Sequence, residues 1–416
     1  MSAEPGDRPR TAAEAAPALA PMEALVSSEA IIRDALRTLR SHLGMDVAFV
    51  SEFADGRRHV RFLETASDYD TLAGDRSDPL EASYCQRVVD GRLPDLIEDA
   101  LQLPEAAALP MTRELRIRTY LSVPVRLSDG LIYGTFCCFS TQPRPALGER
   151  ERALMQVFGE FIAHQVERQL QAHRTHREQR ERVVSLLQHD ALSVMYQPIV
   201  RLDGHRVVAL EALARFAATP AQPPDVWFRQ AHEVGLGVEL EGAALRKALA
   251  ALDRLPPHVR LTLNVSPLAL VAGTLQRMLE DAPGERLILE LTEHAEVPDY
   301  AQLRTALHDM RARGIGLAVD DTGAGYASLR HILRLEPDVI KLDLTLVRGI
   351  DRDAKRRSLA GALIRFARET GAQVVAEGVE TAEELATLRD LQADHVQGYL
   401  LGRPAPLEQA LGRYAH

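Results

Sequence analysis

The sequence has few cysteines, and it has no long apolar run. Its 416 residues include only Cys85, Cys137 and Cys138. Such a small, odd number does not suggest a disulfide framework, which favours a reducing compartment. No apolar run reaches the roughly 18–20 residues that span a bilayer, and residues 1–22 lack the apolar core of a secretory signal. We therefore expect a cytoplasmic protein that makes no membrane contact and begins with a disordered tail over residues 1–24.

The sequence also lacks an excess of positive charge. Its 59 acidic residues outnumber 49 Lys and Arg, for a net charge of −10. This balance argues against binding to duplex nucleic acid. It leaves room for a small anionic ligand, because a bound metal ion can invert the local charge. A length of 416 residues with 46% hydrophobic content predicts two or three globular domains.

The first half of the chain has the pattern of a small α+β domain over residues 25–170. Apolar residues at helical spacing predict a helix at each end, and β-rich runs lie between them. The predicted elements are helix Glu29–Leu43, strands Asp46–Phe53, His59–Glu64, Thr119–Leu127 and Leu131–Ser140, and a helix from Glu149 to about Leu170. Residues 171–192 are predicted to be a helical linker, because residues 171–182 are almost wholly polar and contain neither Gly nor Pro. Pairing of this helix with a second chain stays open at this point.

The second half, residues 193–416, alternates short β-rich runs with helical patterns such as Trp227–Ala251, Tyr300–Arg313 and Ala354–Thr370. Eight strands alternating with helices over about 220 residues predict an α/β fold of the TIM-barrel type. The predicted strands are Ser193–Val200, Arg206–Leu213, Arg260–Val265, Arg286–Leu291, Gly316–Asp320, Asp338–Leu342, Gln373–Ala376 and His395–Leu400.

Polar residues recur at the ends of these predicted strands, where barrel enzymes carry their active sites. They are Glu211, Asn264, Glu290, Glu293, Asp320, Asp321, Lys341, Glu377 and Gln397. Carboxylates about 4 Å apart repel each other by roughly 4 kcal/mol per pair at an effective dielectric near 20. Salt bridges to the many arginines are one way to balance this charge. Repetition at so many strand ends favours hard divalent cations instead. We expect Mg²⁺ or Mn²⁺, two ions per site, because oxygen ligands dominate and no His or Cys cluster accompanies them.

The same residues carry a family resemblance. Residues 193–410 resemble the EAL-type cyclic di-GMP phosphodiesterase domain, a metal-dependent barrel. The signature tripeptide stands as Glu211-Ala212-Leu213. Other matching segments are Tyr196-Gln-Pro-Ile-Val200, Asn264-Val-Ser266, Glu290-Leu-Thr-Glu293, Asp320-Asp321, Lys341-Leu-Asp343, Glu377-Gly-Val-Glu-Thr381 and Gln397-Gly-Tyr-Leu-Leu-Gly-Arg-Pro404. No cyclase signature is present.

The resemblance implies hydrolysis of cyclic di-GMP to linear pGpG and assigns roles to individual residues. Lys341, Glu377 and Glu211 would be catalytic, with Lys341 positioning the attacking water and Glu377 as a candidate general base. The implied metal ligands are Glu211, Asn264, Glu290 and Asp320 for one ion, and Asp320, Asp321 and Glu377 for the other. The implied dinucleotide contacts are Gln197, Leu213 and Arg215. The implied supporting residues are Glu293, Asp343, Glu380 and Gln397.

One loop departs from the family pattern. The family usually has Asp-Asp-Phe-Gly-Thr-Gly-Tyr-Ser-Ser here, whereas this chain has Thr322 in place of the aromatic residue and Ala324 in place of a hydroxyl. The acidic pair and the glycines are intact. The family links this loop to dimerisation, so the two replacements bear on dimer coupling. The resemblance still implies a homodimer.

Residues 25–170 resemble a GAF domain, a fold that senses small ligands. The segments that carry this resemblance are Asp46-Val-Ala-Phe-Val50, Ser122-Val-Pro-Val125 and Tyr133-Gly-Thr-Phe-Cys-Cys-Phe139. The resemblance implies an unidentified small-molecule ligand. Cys85 could attach a chromophore or sense redox state, but a buried cysteine in apolar surroundings is the favoured interpretation. Alternation along the strand places either Cys137 or Cys138 toward the core.

Three hypotheses for function follow. The first is an active phosphodiesterase whose rate the GAF-like domain tunes through the helix near residues 150–190. The second is a non-catalytic receptor that binds cyclic di-GMP. The third is a scaffold that only mediates contacts with partners. Lys341 and Glu377 favour the first, because binding alone needs no pair of groups that activates water.

Overall fold

The computed structural model describes residues 20–66, 77–291, 299–322 and 326–412. The chain divides into two compact units, with Arg177 in the first and Glu178 in the second. The domain limits at residues 24, 170 and 192 remain predictions. Within the described ranges, no helix combines the length and the apolar character that crossing a bilayer requires.

The first unit is built on a six-stranded sheet in which every neighbouring pair is antiparallel. Its strands are β1 (Val47–Ala54), β2 (Arg57–Thr65), β3 (Ser77–Pro79), β4 (Leu96–Ile97), β5 (Thr119–Arg126) and β6 (Ile132–Ser140), in the order β3-β2-β1-β6-β5-β4. Its helices are α1 (Ala20–His42), α2 (Tyr84–Val89), α3 (Pro104–Ala107), α4 (Pro110–Glu114) and α5 (Glu149–Gln188), with a 3₁₀ turn at Leu80–Ala82. The predicted α+β class is confirmed.

The two central hairpins form where the sequence predicts them. Asp55 and Gly56 join β1 to β2 with φ values of 52° and 71°, the left-handed conformation that a two-residue hairpin turn needs at both positions. Gly130, with a φ of 87°, lies in the turn between β5 and β6. These turns set the register that carries side chains to both faces of the sheet.

Both faces of this sheet are buried. Cys138 lies in the apolar cluster that includes Ile32 of α1 and Ile162 of α5. Its neighbour Cys137 belongs to a second cluster, with Tyr84 of α2. The expectation that only one of these two cysteines faces a core was therefore wrong, since successive strand residues point to opposite faces and both faces are covered here.

The two long helices extend beyond their predicted limits. Helix α1 begins at Ala20 rather than Glu29, so the last residues of the predicted tail are helical. The segment from Ala20 to Leu25 is rich in strong helix formers and has Pro21 in the first turn, where proline is tolerated. Helix α5 continues through the polar residues 171–182 to Gln188. Residues 1–19 of the predicted tail lie outside the described residues.

The second unit is a closed eight-stranded barrel, so the predicted TIM-like architecture is confirmed. Its strands are β7 (Leu192–Arg201), β8 (Val207–Phe216), β9 (Arg260–Val265), β10 (Leu287–Leu291), β11 (Gly316–Thr322), β12 (Val339–Leu342), β13 (Gln373–Ala376) and β14 (His395–Val396). Its helices are α6 (Pro224–Glu233), α7 (Gly237–Leu249), α8 (Pro267–Val271), α9 (Thr274–Met278), α10 (Tyr300–Ala312), α11 (Tyr326–Leu335), α12 (Leu344–Val347), α13 (Ala354–Thr370), α14 (Ala382–Asp390) and α15 (Leu407–Gly412). Two 3₁₀ turns occur at Leu252–Arg254 and Gly284–Arg286.

One strand of the barrel runs against the others. Strand β7 is antiparallel to both β8 and β14, whereas the remaining pairs are parallel. A short loop at residues 202–206 joins β7 to β8, and it is too short for the crossover helix that parallel neighbours require. The hairpin carries β8 on to Phe216, which pairs with Leu192. The sequence predicted Glu211 at the end of its strand, but it lies in the middle of β8.

Two other predicted elements differ in extent. The predicted helix Trp227–Ala251 is two helices, α6 and α7, because Gly235 adopts a φ of 71° between them. The eighth strand ends at Val396 rather than Leu400, so Gln397 directly follows the strand. The remaining barrel strands agree with prediction to within a few residues.

Candidate metal centre in the barrel

Two layers of side chains fill the barrel interior, and strand alternation fixes their composition. The lower layer is apolar and consists of Ile199, Ala209, Ile288, Ala318, Val339 and Val375. Two residues beyond the lower-layer residues of β8, β10, β11, β12 and β13, and so on the same face, stand charged residues. These residues are Glu211, Glu290, Asp320, Lys341 and Glu377. Strand β7 runs the opposite way, so its polar residue, Gln197, precedes Ile199 instead of following it.

Lys341 lies at the centre of the charged layer. Its Nζ atom is 2.6 Å from Glu377 Oε1, 3.4 Å from Asp320 Oδ1 and 3.6 Å from Glu211 Oε2. It also donates a hydrogen bond to Glu290 Oε1. The Lys341 side chain is only 2% exposed and that of Glu290 is 0% exposed. One buried ammonium is therefore surrounded by four carboxylates, which leaves an excess of negative charge.

Amide side chains fix the position of Glu211. Asn264 Nδ2 donates to Glu211 Oε1 at 3.1 Å, and Gln397 Nε2 donates to Glu211 Oε2 at 2.6 Å. Gln397 Nε2 also lies 3.1 Å from Gln197 Oε1, and Gln197 Nε2 donates to the carbonyl of Gly402 at 3.0 Å. Strand pairing aligns these groups, since Gln197 is opposite Glu211 and Asn264 is opposite Glu290. Both oxygens of Glu211 are thus oriented by neutral donors.

Burial and crowding shift the pKa values of this cluster. Burial raises the pKa of Glu377 to about 8, and the charges of Asp320 and Glu211 add to this effect against the opposing effect of Lys341. Burial and the neighbouring carboxylates likewise raise the pKa of Glu290 well above its ordinary value, again against Lys341. Burial opposes the charge of Lys341, but the surrounding acids outweigh it and raise the lysine pKa. The cluster therefore favours additional positive charge.

The donor set fits hard divalent cations. Carboxylate oxygens of Glu290, Asp320 and Glu377 lie within 4.8 Å of one another. Among the described residues, Glu290 Oε2 is buried and has no hydrogen-bond partner. Oxygen ligands at this spacing suit Mg²⁺ or Mn²⁺ better than zinc, which prefers nitrogen and sulfur.

The other predicted site residues fall into three groups. Leu213 and Arg215 follow Glu211 at every second position of β8 and therefore lie on the same face of the strand. Asp343 lies directly after β12, where it accepts a hydrogen bond from Thr345 N at 2.8 Å and caps α12. Glu380 contacts Arg348 in an exposed ion pair. Glu293, Ala324 and the side chain of Asp321 lie outside the described residues.

The sequence reasoning missed Arg260. This residue lines a cavity of about 450 Å³ beneath the charged layer, together with His395, Glu290 and Lys341. Its Nη2 atom donates to the carbonyl of Leu287 at 3.1 Å. The signal was present in the sequence, because Arg260, Thr262 and Asn264 alternate along one strand and therefore share the interior face.

Comparison with known proteins agrees with these observations. Residues 176–404 match the EAL domain family, and residues 27–166 match the GAF domain family. The chain is 35% identical to the cyclic di-GMP phosphodiesterase NbdA of Pseudomonas aeruginosa over 240 residues, which cover 55% of this chain and 30% of NbdA. It is 29% identical to the bifunctional diguanylate cyclase/cyclic di-GMP phosphodiesterase MucR of the same organism, over 55% of this chain and 35% of MucR. The chain thus spans about a third of the length of these relatives.

Solved structures support the same assignment. The PaMucR phosphodiesterase in complex with cyclic di-GMP is 28% identical, with a TM-score of 0.51 over 56% of this chain and 99% of that chain. An EAL domain protein from Listeria monocytogenes, at 24% identity and a TM-score of 0.52, covers 56% of this chain and 97% of that chain and supports the fold alone. The EAL match covers more than half of the sequence, and its barrel carries the charged layer described above: the chain belongs to the EAL domain family and has a GAF domain before the barrel.

Proposed function

We propose that this chain hydrolyses cyclic di-GMP to linear pGpG. The observation that carries the proposal is the Lys341 cluster, in which a buried ammonium and four carboxylates converge inside an EAL barrel. A relative and a solved structure named as cyclic di-GMP phosphodiesterases support the same substrate. A fold that only bound the dinucleotide would not need this concentration of buried charge.

The proposed site holds two divalent cations, Mg²⁺ or Mn²⁺. Glu211, Asn264, Glu290 and Asp320 would hold one ion, and Asp320, Asp321 and Glu377 the other. When bound, such ions withdraw negative charge from a phosphodiester and acidify water. The excess negative charge around Lys341 supports this assignment, because hard oxygen ligands and a net negative cage attract divalent ions.

The protein's own groups have separate tasks in the proposed reaction. Lys341 offers a fixed positive charge to the phosphate oxygens as negative charge builds up in the transition state. Glu377 accepts a proton from the attacking water. Gln397 and Asn264 hold Glu211 in one orientation, and a ligand that is already oriented binds with less entropic cost.

Substrate contacts are proposed for the face of β8 that continues beyond Glu211. Leu213 offers an apolar surface for a guanine base, and Arg215 offers guanidinium donors for the phosphates or the base edge. Gln197 lies on the neighbouring strand, opposite Glu211. We place the dinucleotide along this edge of the charged layer.

Regulation and assembly form the rest of the proposal. The GAF domain binds a small molecule and tunes the hydrolysis rate, and the chain acts as a homodimer. The continuity of α5 supports such coupling, because this single helix runs from Glu149 to Gln188 and joins the two matched segments. Sedimentation velocity on the purified chain tests the dimer directly.

A turnover assay tests the activity. Purified protein with Mg²⁺ or Mn²⁺ should convert cyclic di-GMP to pGpG, and chelation with EDTA should stop the reaction. Glu211→Gln should lower kcat by at least about 10³-fold, because it removes a proposed metal ligand and a buried charge. The exposed Glu369 at the end of α13 provides a matched control, and Glu369→Gln should leave kcat unchanged.

Two other results would replace the proposal. Tight binding of cyclic di-GMP without turnover in either metal would identify a receptor. A calorimetric titration that shows no binding of the dinucleotide would favour a scaffold. Circular dichroism must also show that Glu211→Gln has the same fold as the parent protein, so that a loss of turnover in the variant is not a loss of folding.

A further inference from the structure

A second buried polar cluster lies in the GAF unit. Cys85 of α2 and Cys137 of β6 place their Sγ atoms 3.7 Å apart, and both side chains are fully buried. A disulfide bond needs a separation of about 2.05 Å. The two thiols are therefore close enough to be joined by a small local movement. Cys138, although adjacent in sequence, points to the other face of the sheet and contacts Met155 Sδ at 3.9 Å.

Cys85 is fully buried in an apolar cluster, as expected from the sequence, but polar groups also contact its thiol. The Arg58 guanidinium lies 3.9 Å from Cys85 Sγ through Nη1 and contacts Asp78 through Nη2. The Tyr120 hydroxyl lies 3.4 Å from Cys85 Sγ and 3.1 Å from Cys137 Sγ. A cation and a hydroxyl thus both face the thiol pair.

These contacts shift the pKa values of the two thiols in opposite directions. Burial raises the pKa of Cys85, but the hydrogen bond with Cys137 and the charge of Arg58 outweigh it and hold that pKa well below its ordinary value. Burial and the charge of Cys85 raise the pKa of Cys137 well above its ordinary value. Burial also raises the pKa of Cys138. Cys85 is accordingly the nucleophile of the pair, since the thiolate is the reactive form.

A cavity leads to the two groups that contact the thiol pair. It is small, with room for about one water molecule, and Arg58 and Tyr120 form part of its wall. The rest of the lining is apolar and consists of Phe49, Val60, Leu63, Met111, Leu115, Ile117 and Phe139. A neutral molecule close to water in size fits this space, whereas a charged oxidant loses its hydration there.

We propose that a hydroperoxide oxidises Cys85 and Cys137 reversibly to a disulfide that links α2 and β6. The Cys85 thiolate attacks one oxygen of a hydroperoxide, so an S–O bond forms and the O–O bond breaks. The leaving hydroxide or alkoxide takes a proton from solvent. Cys137 then attacks the sulfenic sulfur, an S–S bond forms and the S–O bond breaks. The departing hydroxide takes the Cys137 proton and leaves as water. The two sulfurs lose two electrons and the peroxide gains them.

Mass spectrometry of the full chain tests the proposal. The protein is treated with hydrogen peroxide in one arm and tert-butyl hydroperoxide in another, and free thiols are then blocked under denaturing conditions. We expect a loss of two hydrogens, a Cys85–Cys137 crosslinked peptide, and reversal by dithiothreitol. Cys85 should be consumed at least about tenfold faster than Cys138. The arms compare a small peroxide with a bulkier organic one, and a crosslink in either arm supports the proposal.

Three variants sharpen the test. Cys137→Ser should stop the reaction at the sulfenic acid, which dimedone traps on Cys85. Cys85→Ala should abolish both products, and the matched control Cys138→Ser should retain the crosslink. Circular dichroism checks the fold of each variant, and the wild-type peptide map decides the question if a variant does not fold. The proposal is overturned if neither peroxide yields the crosslink, or if Cys138 reacts as fast as Cys85.

Discussion

Among the residues that the structure describes, each unit buries one Lys or Arg side chain among acidic groups, but the two units balance its charge in different ways. In the barrel, the ammonium of Lys341 faces four carboxylates, of which Glu290 is fully buried. In the GAF unit, the guanidinium of Arg58 faces one carboxylate, Asp78, and the thiol of Cys85. The Asp78 side chain is 23% exposed and keeps part of its hydration.

This difference separates a cluster that needs external charge from one that does not. Two of the acids around Lys341, Glu290 and Glu377, resist ionisation, because burial and the neighbouring carboxylates both raise their pKa values. The pair formed by Arg58 and Asp78 is already neutral without a metal ion. An unbalanced cluster is suited to binding ions, and a balanced one is suited to tuning a nearby thiol.

Removal of the barrel cation should have the largest effect on stability. Without metal, Lys341→Met leaves four carboxylates with no buried positive charge, and it should lower the free energy of unfolding of the barrel by about 3–5 kcal/mol. Mg²⁺ or Mn²⁺ should reduce the difference in unfolding free energy between the wild type and Lys341→Met, since the ions would supply the missing positive charge. Urea unfolding in EDTA and in metal measures both quantities.

The exposed Lys355 at the start of α13 gives the matched control. Lys355→Met should change stability by less than about 0.5 kcal/mol in either buffer. A Lys341→Met loss that stays the same with and without metal would mean that the cluster does not bind ions, and the contrast between the two units would disappear.

Removal of the GAF cation should cost less. Arg58→Met removes the ion pair with Asp78, whose side chain is 23% exposed, and the positive charge near Cys85. We therefore expect a loss of about 1–3 kcal/mol in the free energy of unfolding that does not depend on metal. Methionine retains much of the apolar stem that packs near Phe49. Urea unfolding, followed by a probe of the first unit, measures the change.

Arg113, exposed on α4, supplies the control for this variant. Arg113→Met should be nearly neutral. If Arg58→Met lowered the free energy of unfolding as much as Lys341→Met, the solvent exposure of Asp78 would not explain the difference between the two clusters.

The sequence predicted the barrel cluster because period-two alternation and strand order suffice to bring its residues together. Glu290, Asp320 and Lys341 each stand two positions beyond an interior apolar residue, so one rule places them in one layer. The antiparallel first strand was not predicted, since a hairpin loop at residues 202–206 resembles other short connections. Its consequence is the position of Glu211 within β8.

The thiol cluster could not be predicted in the same way. Cys85 comes from a short helix, Arg58 from β2 and Cys137 from β6, and their approach depends on how α2 packs on the sheet. No periodicity in the sequence encodes that packing. Alternation did place Cys137 and Cys138 on opposite faces, but it could not show that both faces are covered.

A third kind of buried acid sharpens the comparison, because it has hydrogen bonds in place of a cation. Glu384, in the first turn of α14, accepts from the backbone N–H groups of Gly349 at 2.8 Å, Glu380 at 2.9 Å and Thr381 at 3.1 Å. Burial acts to raise its pKa, but these three donors outweigh burial and hold the pKa below its ordinary value. Here dipoles stabilise the buried charge without any counter-ion.

Glu384→Gln should therefore have the smallest effect of the three stability variants, about 1–2 kcal/mol near pH 7. The amide NH₂ must take the place of one carboxylate oxygen, where it meets a backbone N–H that also donates. Because the folded-state pKa of Glu384 is lowered, its ionised form stabilises the fold above the unfolded pKa of about 4.3. That contribution is lost as pH falls through the folded pKa. Unfolding free energies of the wild type and variant should thus converge in acid, whereas the exposed neighbour Glu383→Gln should show no such convergence. A gap between wild type and Glu384→Gln that is constant with pH would mean that shape, and not the charge, is what those three donors recognise.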